Sequence, residues 1–153
     1  MSEIPAKLVK KLRDETGAPV MEIRKALLYS NGDEKRAKEI ITERGLERAE
    51  KRSGRSTDQG LIATYVHADG KIGSMVHLGC ETDFVARTDE FKKLAKEVAM
   101  QVVAMNPQDV QEMLSQEYIR DPEKKVKDLV AEVAAKTGEN VQVHRISRFA
   151  LGE

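Results

Sequence analysis

Cys80 and three histidines, His67, His77 and His144, are the side chains that first invite a search for catalysis. A thiol nucleophile needs a neighbouring base or a positive charge to hold the thiolate form. Cys80 instead stands beside Glu81 and Asp83, whose charges push a thiol pKa up. His77 is three residues away along an expected strand, and odd spacing puts the two side chains on opposite faces. One cysteine and scattered histidines also lack the spacing of a zinc site. Neither of the glycine-rich phosphate motifs GxxxxGK[ST] and GxGxxG is present. The expectation is a protein that is not an enzyme and holds no cofactor or metal.

The segment Glu81-Thr82-Asp83-Phe84-Val85-Ala86-Arg87-Thr88-Asp89 is different in kind. It joins an expected strand to an expected helix and sets a large aromatic ring among charges. Two readings are open. Phe84 folds back into the core while Asp83 caps a turn, or Phe84 projects as an apolar wedge of the sort that forms binding hot spots.

The surrounding elements must position that segment. Pro5 suits the first helical position of a helix carrying Leu8, Val9 and Leu12, stopped by Gly17. Pro19 opens a second, with Ile23, Ala26 and Leu27 on one face, ending at Ser30-Asn31-Gly32. Asp33 caps a third with Ala37, Ile40 and Ile41, and Gly45 is expected to close it. Residues 46–57 then crowd Arg48, Lys51, Arg52 and Arg55 into a helical tail and linker. From Gln59 the apolar period becomes two. Leu61, Ala63 and Tyr65 alternate up to Asp69-Gly70, read as a type I′ turn. That turn predicts Leu61 opposite Leu78, Ala63 opposite Val76 and Tyr65 opposite Ser74.

Thr88 caps a long helix with Phe91, Leu94, Ala95, Val98, Val102 and Met105 on one stripe, ended by Asn106-Pro107. A short helix is expected around Val110 to Leu114. Asp121-Pro122-Glu123 is expected to open a further helix with Val126, Leu129, Val130 and Val133, stopped by Gly138. Val141 to Ile146 reads as a third strand. Helices and strands are segregated, which favours an α+β fold. The expected organisation is a three-helix bundle over residues 1–46, a basic linker over 47–58, and an α+β core over 59–153 whose three-stranded antiparallel sheet packs with helices.

Composition narrows the class. The chain has 26 basic and 26 acidic side chains, with 14 basic and 10 acidic among residues 1–57. So mild an asymmetry does not mark a dedicated nucleic-acid binder. No apolar run nears the roughly 20 residues of a membrane span, and the first residues lack the apolar core of a signal peptide. A lone cysteine suits a reducing compartment. The expectation is a cytoplasmic protein with no membrane contact and no direct nucleic-acid binding.

Thr82-Asp83-Phe84-Val85 resembles the signature of the elongation factor Ts family, the nucleotide exchange factors of elongation factor Tu. Leu8-Val9-Lys10-Lys11-Leu12-Arg13 through Thr16-Gly17-Ala18, Lys25-Ala26-Leu27 and Asn31-Gly32-Asp33 resemble that family's N-terminal domain. Thr137-Gly138-Glu139-Asn140-Val141 through Arg145, then Arg148-Phe149, resemble the end of its core. The resemblance covers residues 4–105 and 124–150, with three motifs in order.

It implies a ubiquitin-associated-like N-terminal bundle that packs on the GTPase's nucleotide-binding domain through Leu12, Val20 and Met21. Where the family often has Gly-Met-Met, this chain has Pro19-Val20-Met21, which keeps an apolar surface. It further implies a partner-binding segment of Thr82, Asp83, Phe84 and Val85. Asp83 and Phe84 would reach toward the GTPase's magnesium and phosphate site, in both its GDP-bound and nucleotide-free states. Longer members carry a second core subdomain and a coiled-coil insertion. This chain resembles the short bacterial form, in which two copies pair, and Ile62, Val66, Gly73 and Met75 offer sheet surface for that homodimer. Two other readings compete: a helical module that binds RNA or the ribosome through Arg44 to Arg55, and a small thiol enzyme centred on Cys80.

Overall fold

The computed structural model describes residues 3–153. Contacts divide the chain into two compact units, Met1–Lys51 and Arg52–Glu153.

The first unit is three helices: α1 (Ala6–Thr16), α2 (Val20–Tyr29) and α3 (Glu34–Lys51). Pro5 and Pro19 each stand one residue ahead of their helices, with extended backbone that turns the chain into the first turn. Gly17 ends α1 at φ 69°, donating its N–H to the Arg13 carbonyl. Asn31 and Gly32 make the next turn at φ 54° and 83°, a left-handed geometry natural to these two residue types. The Arg36 amide donates to Asp33 Oδ1 at 3.1 Å, the cap expected of that aspartate. Gly45 does not close α3. The helix runs on through it to Lys51, because a mid-helix glycine costs only about 1 kcal/mol and the residues on either side favour helix. The core gathers Leu12, Ile23, Ala26, Leu27, Ala37 and Ile41, with Ile4, Leu8, Val9, Ala18 and Ile40 packed around it.

The second unit is an α+β layer structure. Strands β1 (Gln59–His67), β2 (Ile72–Cys80) and β5 (Val141–Ala150) form one antiparallel sheet in the order β1-β2-β5. Leu61 faces Leu78, Ala63 faces Val76 and Tyr65 faces Ser74, the pairs expected from a turn centred on Asp69-Gly70. The turn is looser than expected. Pairing stops at His67 and Ile72, which leaves a four-residue loop with Ala68 at φ 44° and Gly70 at φ 83°. Asp69 has no positive φ, so the turn is not type I′. The register survives because the buried face sets it independently of the loop.

One sheet face is covered by α5 (Asp89–Met105), whose Phe91, Leu94, Ala95, Val98, Ala99 and Val102 are buried. The Ser74 hydroxyl donates to the Ala99 carbonyl at 2.7 Å, tying strand to helix. Thr88 caps α5 as expected, with the Phe91 amide 3.3 Å from its hydroxyl. Asn106 ends the helix in left-handed geometry. Short helices α4 (Asp83–Ala86) and α6 (Val110–Ser115) flank it.

Asp121-Pro122-Glu123 does not open a helix. It lies in β4 (Asp121–Lys125), paired with β3 (Glu117–Tyr118), and α7 (Val126–Thr137) starts only after it. The reason is tertiary. Gln101, fully buried on α5, donates to the Glu117 carbonyl at 3.0 Å and accepts from the Ile119 amide at 3.0 Å. Those bonds draw the small hairpin onto α5 and delay the helix. Asp128 then caps α7 by accepting from the Lys125 amide at 2.9 Å.

Strand β5 contains a bulge. His77 pairs with Arg145 but Leu78 pairs with Val143, so His144 is the extra residue. Val141 and Val143 therefore face inward, while beyond the bulge Ile146 and Arg148 are the partly covered positions. The His144 ring lies against His77 on the outer face, with ring centroids 4.8 Å apart. Its Nε2 is 2.7 Å from the Thr57 hydroxyl. The position beneath must be glycine: a Cβ on Gly79 would lie 2.5 Å from that nitrogen.

Candidate functional site: the exposed aromatic turn

The strand-to-helix segment is a one-turn helix, α4, with a designed asymmetry of burial. Val85 and Ala86 are buried beneath it, while Phe84 on the opposite side is 81% exposed. No other aromatic in the second unit except Phe149 is comparably open among the described residues. The cap is Thr82 and not Asp83: the Thr82 hydroxyl oxygen accepts from the Val85 amide at 3.3 Å. Asp83 instead pairs with Arg87 one turn later, at 2.5 Å, with both side chains largely in solvent.

Two distant segments hold the base of the turn. Glu139, just after α7, accepts from the Glu81 amide at 3.1 Å and the Thr82 amide at 2.9 Å through Oε1. Its Oε2 accepts from the Thr82 hydroxyl at 2.7 Å. In return Glu81 Oε1 accepts from the Asn140 amide at 2.7 Å. Asn140 is itself buried and donates through its side chain to the carbonyls of Ser53 and Arg55, at 3.2 and 2.7 Å. Residues 53–55 are thus fastened to the end of α7. Periodicity and composition gave no sign of these polar partners, which lie 57 to 87 residues apart in the chain.

Cys80 sits under the turn, fully buried, with its thiol donating to the Thr82 carbonyl at 3.1 Å. Burial raises its pKa first, and the Glu139 and Asp83 charges add to that. His77 is half-buried on the outer sheet face, away from the inward-facing thiol. A buried, protonated thiol packs and donates a hydrogen bond. Among the described residues no group of three or more His, Cys, Asp or Glu side chains is arranged to hold a metal ion.

The other residues named from the sequence divide by burial. In the first unit Met21 is 64% exposed and Val20 stands 37% exposed beside it. Leu12 is wholly buried in the bundle core, so it packs the three helices together and presents no contact surface. Val85 is buried too, because the turn that lifts Phe84 out drives Val85 inward. Leu28 and Tyr29, absent from the sequence reading, are also exposed on α2, with the Arg44 guanidinium 5.0 Å from the Tyr29 ring.

The basic stretch is largely occupied. Arg48 lies 2.6 Å from Glu22, Arg52 donates to the Ala134 carbonyl at 3.2 Å, and Arg55 lies 3.7 Å from Glu81. Among the described residues no helix is long and apolar enough to cross a membrane.

Comparison with known proteins identifies the family. The family model described as elongation factor TS matches residues 81–153, from the turn through β5 to Glu153. The chain is 42% identical to the elongation factor Ts of Coprothermobacter proteolyticus, over 99% of this chain and all of that protein. It is 41% identical to that of Thermotoga neapolitana, over 99% of this chain and 98% of the relative. With that of a Thermoanaerobacter species it shares 40%, over 98% and 96%. The first of these alignments runs over 196 positions against 153 residues here, so at least 43 positions belong to the relative alone. At this level of identity across nearly the whole of both chains, the protein belongs to the elongation factor Ts family.

Proposed function

We propose that this protein is a guanine-nucleotide exchange factor for elongation factor Tu in translation elongation, acting by binding and not by covalent catalysis. The observation that carries the reading is Phe84, held 81% exposed on a turn whose base is tied down by Glu139. Leaving a phenylalanine in water gains nothing for the free protein, and a rigid exposed aromatic is what a binding hot spot requires.

Exchange of this kind needs only reciprocal coupling: factor and nucleotide each weaken the other's binding to the GTPase. A thousandfold loss of GDP affinity takes about 4 kcal/mol. Burying one phenylalanine supplies about 1.5–3 kcal/mol, so Phe84 is one contributor among several. Asp83, the backbone of α4 and the exposed Val20 and Met21 of the first unit supply the remainder. In this reading Phe84 enters the GTPase near its magnesium and phosphate site, while Thr82 and Val85 hold the turn. The factor engages both GDP-bound and nucleotide-free partner, in the cytoplasm.

The factor works as a homodimer. Ile62, Val66, Met75 and Phe149 are all more than half exposed. They lie on the sheet face that α5 leaves uncovered, in the cross-strand rows Val66-Gly73-Phe149, Thr64-Met75-Ser147 and Ile62-His77-Arg145. A second copy of the same face would bury them.

The experiment is release of labelled GDP from elongation factor Tu, comparing the native protein with Phe84→Ala. Stimulation that the substitution weakens by about tenfold or more supports the wedge. Equal stimulation by both proteins overturns it, and no stimulation by the folded native protein overturns the exchange function itself.

A further inference from the structure

Phe84 makes almost no contact of its own, so the direction in which it points is inherited from the backbone of α4. A four-residue helix cannot hold its own geometry, because helix nucleation is unfavourable over so few residues. Something outside α4 must fix it. Val85 and Ala86 anchor its underside, but apolar packing is non-directional. The directional restraints are hydrogen bonds: the Thr88 hydroxyl donates to the Val85 carbonyl at the exit of the turn, and at its entry the Glu139 carboxylate accepts from the Glu81 amide, the Thr82 amide and the Thr82 hydroxyl at once.

The chemistry at Thr82 makes the arrangement specific. A hydroxyl has a single proton to donate. Committing it to Glu139 Oε2 turns a lone pair toward the Val85 amide, the bond that starts α4. The carboxylate therefore sets both the entry angle of the chain and the polarity of the cap. Glu81 returns the restraint through its bond from the Asn140 amide, so the two segments are locked in both directions.

We propose that Glu139 is a positioning residue for the exchange activity: without touching the GTPase, it holds the turn so that Phe84 is presented in the productive direction. This inference rests on the wedge reading of Phe84. Loss of the carboxylate frees the Thr82 hydroxyl to rotate and leaves Phe84 sampling directions in which it does not insert.

The test is a double-substitution cycle on the full-length protein, read as GDP release from elongation factor Tu. Glu139→Ala is expected to slow stimulated release by about tenfold, the effect of losing roughly one charge-assisted hydrogen bond. Glu139→Gln keeps one acceptor oxygen and is expected to fall between the native protein and Glu139→Ala. In the Phe84→Ala background the same Glu139 substitution is expected to cost clearly less than tenfold, because only Asp83 and the α4 backbone are left to aim. Amide hydrogen exchange at Val85 is expected to quicken in Glu139→Ala while that of the α5 amides stays slow. If Glu139→Ala does not fold, the cycle is run with Glu139→Gln.

Two results overturn the proposal with the wedge intact. One is native-like release by folded Glu139→Ala when Phe84→Ala is impaired. The other is an equal additional loss on adding the Glu139 substitution to Phe84→Ala, which would mean that Glu139 acts on its own. Unimpaired release by Phe84→Ala overturns the wedge reading itself, and this inference with it.

Discussion

The Tyr118 hydroxyl donates to Glu97 Oε2 at 2.5 Å, joining the β3–β4 hairpin to the buried side of α5. Both residues are more than nine-tenths covered, and the Arg120 guanidinium lies 3.1 Å from the same carboxylate oxygen. Burial first, and the bond to Glu97 second, push the Tyr118 pKa up to about 12. The folded protein thus holds this proton more tightly than the unfolded chain, where a tyrosine titrates near 10. Stability from this group is complete below about pH 10 and is lost as pH rises toward 12. Denaturant unfolding across that range should show the decline, and Tyr118→Phe should flatten it. At neutral pH the same substitution is expected to cost about 1–3 kcal/mol, since it leaves a buried carboxylate short of a donor.

Leu12 and Met21 are expected to separate cleanly. Leu12→Ala opens a cavity in the helical bundle and should lower its stability by about 2–5 kcal/mol. Met21→Ala removes an exposed side chain and should leave stability within about 0.5 kcal/mol, while weakening binding to elongation factor Tu. Thermal unfolding alongside a binding titration distinguishes the two. Equal effects of both substitutions on stability would show that Met21 is also a packing residue.

The open sheet face gives a test of assembly. Met75→Lys places a charge at the centre of that face in both copies and should weaken self-association by at least about a hundredfold. Sedimentation of the native protein as a dimer and of the variant as a folded monomer is the expected outcome. A native protein that remains monomeric at micromolar concentration would remove the proposed interface.

Cys80 should behave as a packing residue. Its buried thiol, with pKa raised chiefly by burial, is expected to react with iodoacetamide more than about tenfold slower in the native state than when unfolded. Cys80→Ser should retain GDP release. Abolition of activity in a correctly folded Cys80→Ser protein would revive the thiol-enzyme reading.

Much of this molecule follows from local pattern. Period-two alternation gave both hairpin strands and Asp69-Gly70 centred their pairing, and the register is firm because a one-residue slip would expose every apolar side chain. Helical periodicity located α1, α2 and α5, and Asp33 and Thr88 announced the caps of α3 and α5. The special character of residues 81–89 was visible as an aromatic among charges. Other features departed from the local signals. Gly45 lies inside α3 because the flanking helical residues outweigh one glycine. Asp121 to Lys125 is strand and not helix because buried Gln101 captures the neighbouring backbone. The β5 bulge left a faint trace in the spacing of Val143 and Ile146, but only pairing with β2 shows that His144 is the extra residue.

The same division runs through the functional turn. Sequence by itself determined that Phe84 was an unusual residue in an unusual place, and left open whether it pointed inward or outward. Tertiary structure decided that question. Val85 and Ala86 turn inward and leave Phe84 outside, while Glu139 and Asn140 bond to the entry of the turn from beyond α7; hydrogen bonds between segments so far apart leave no periodic mark on the chain that makes them.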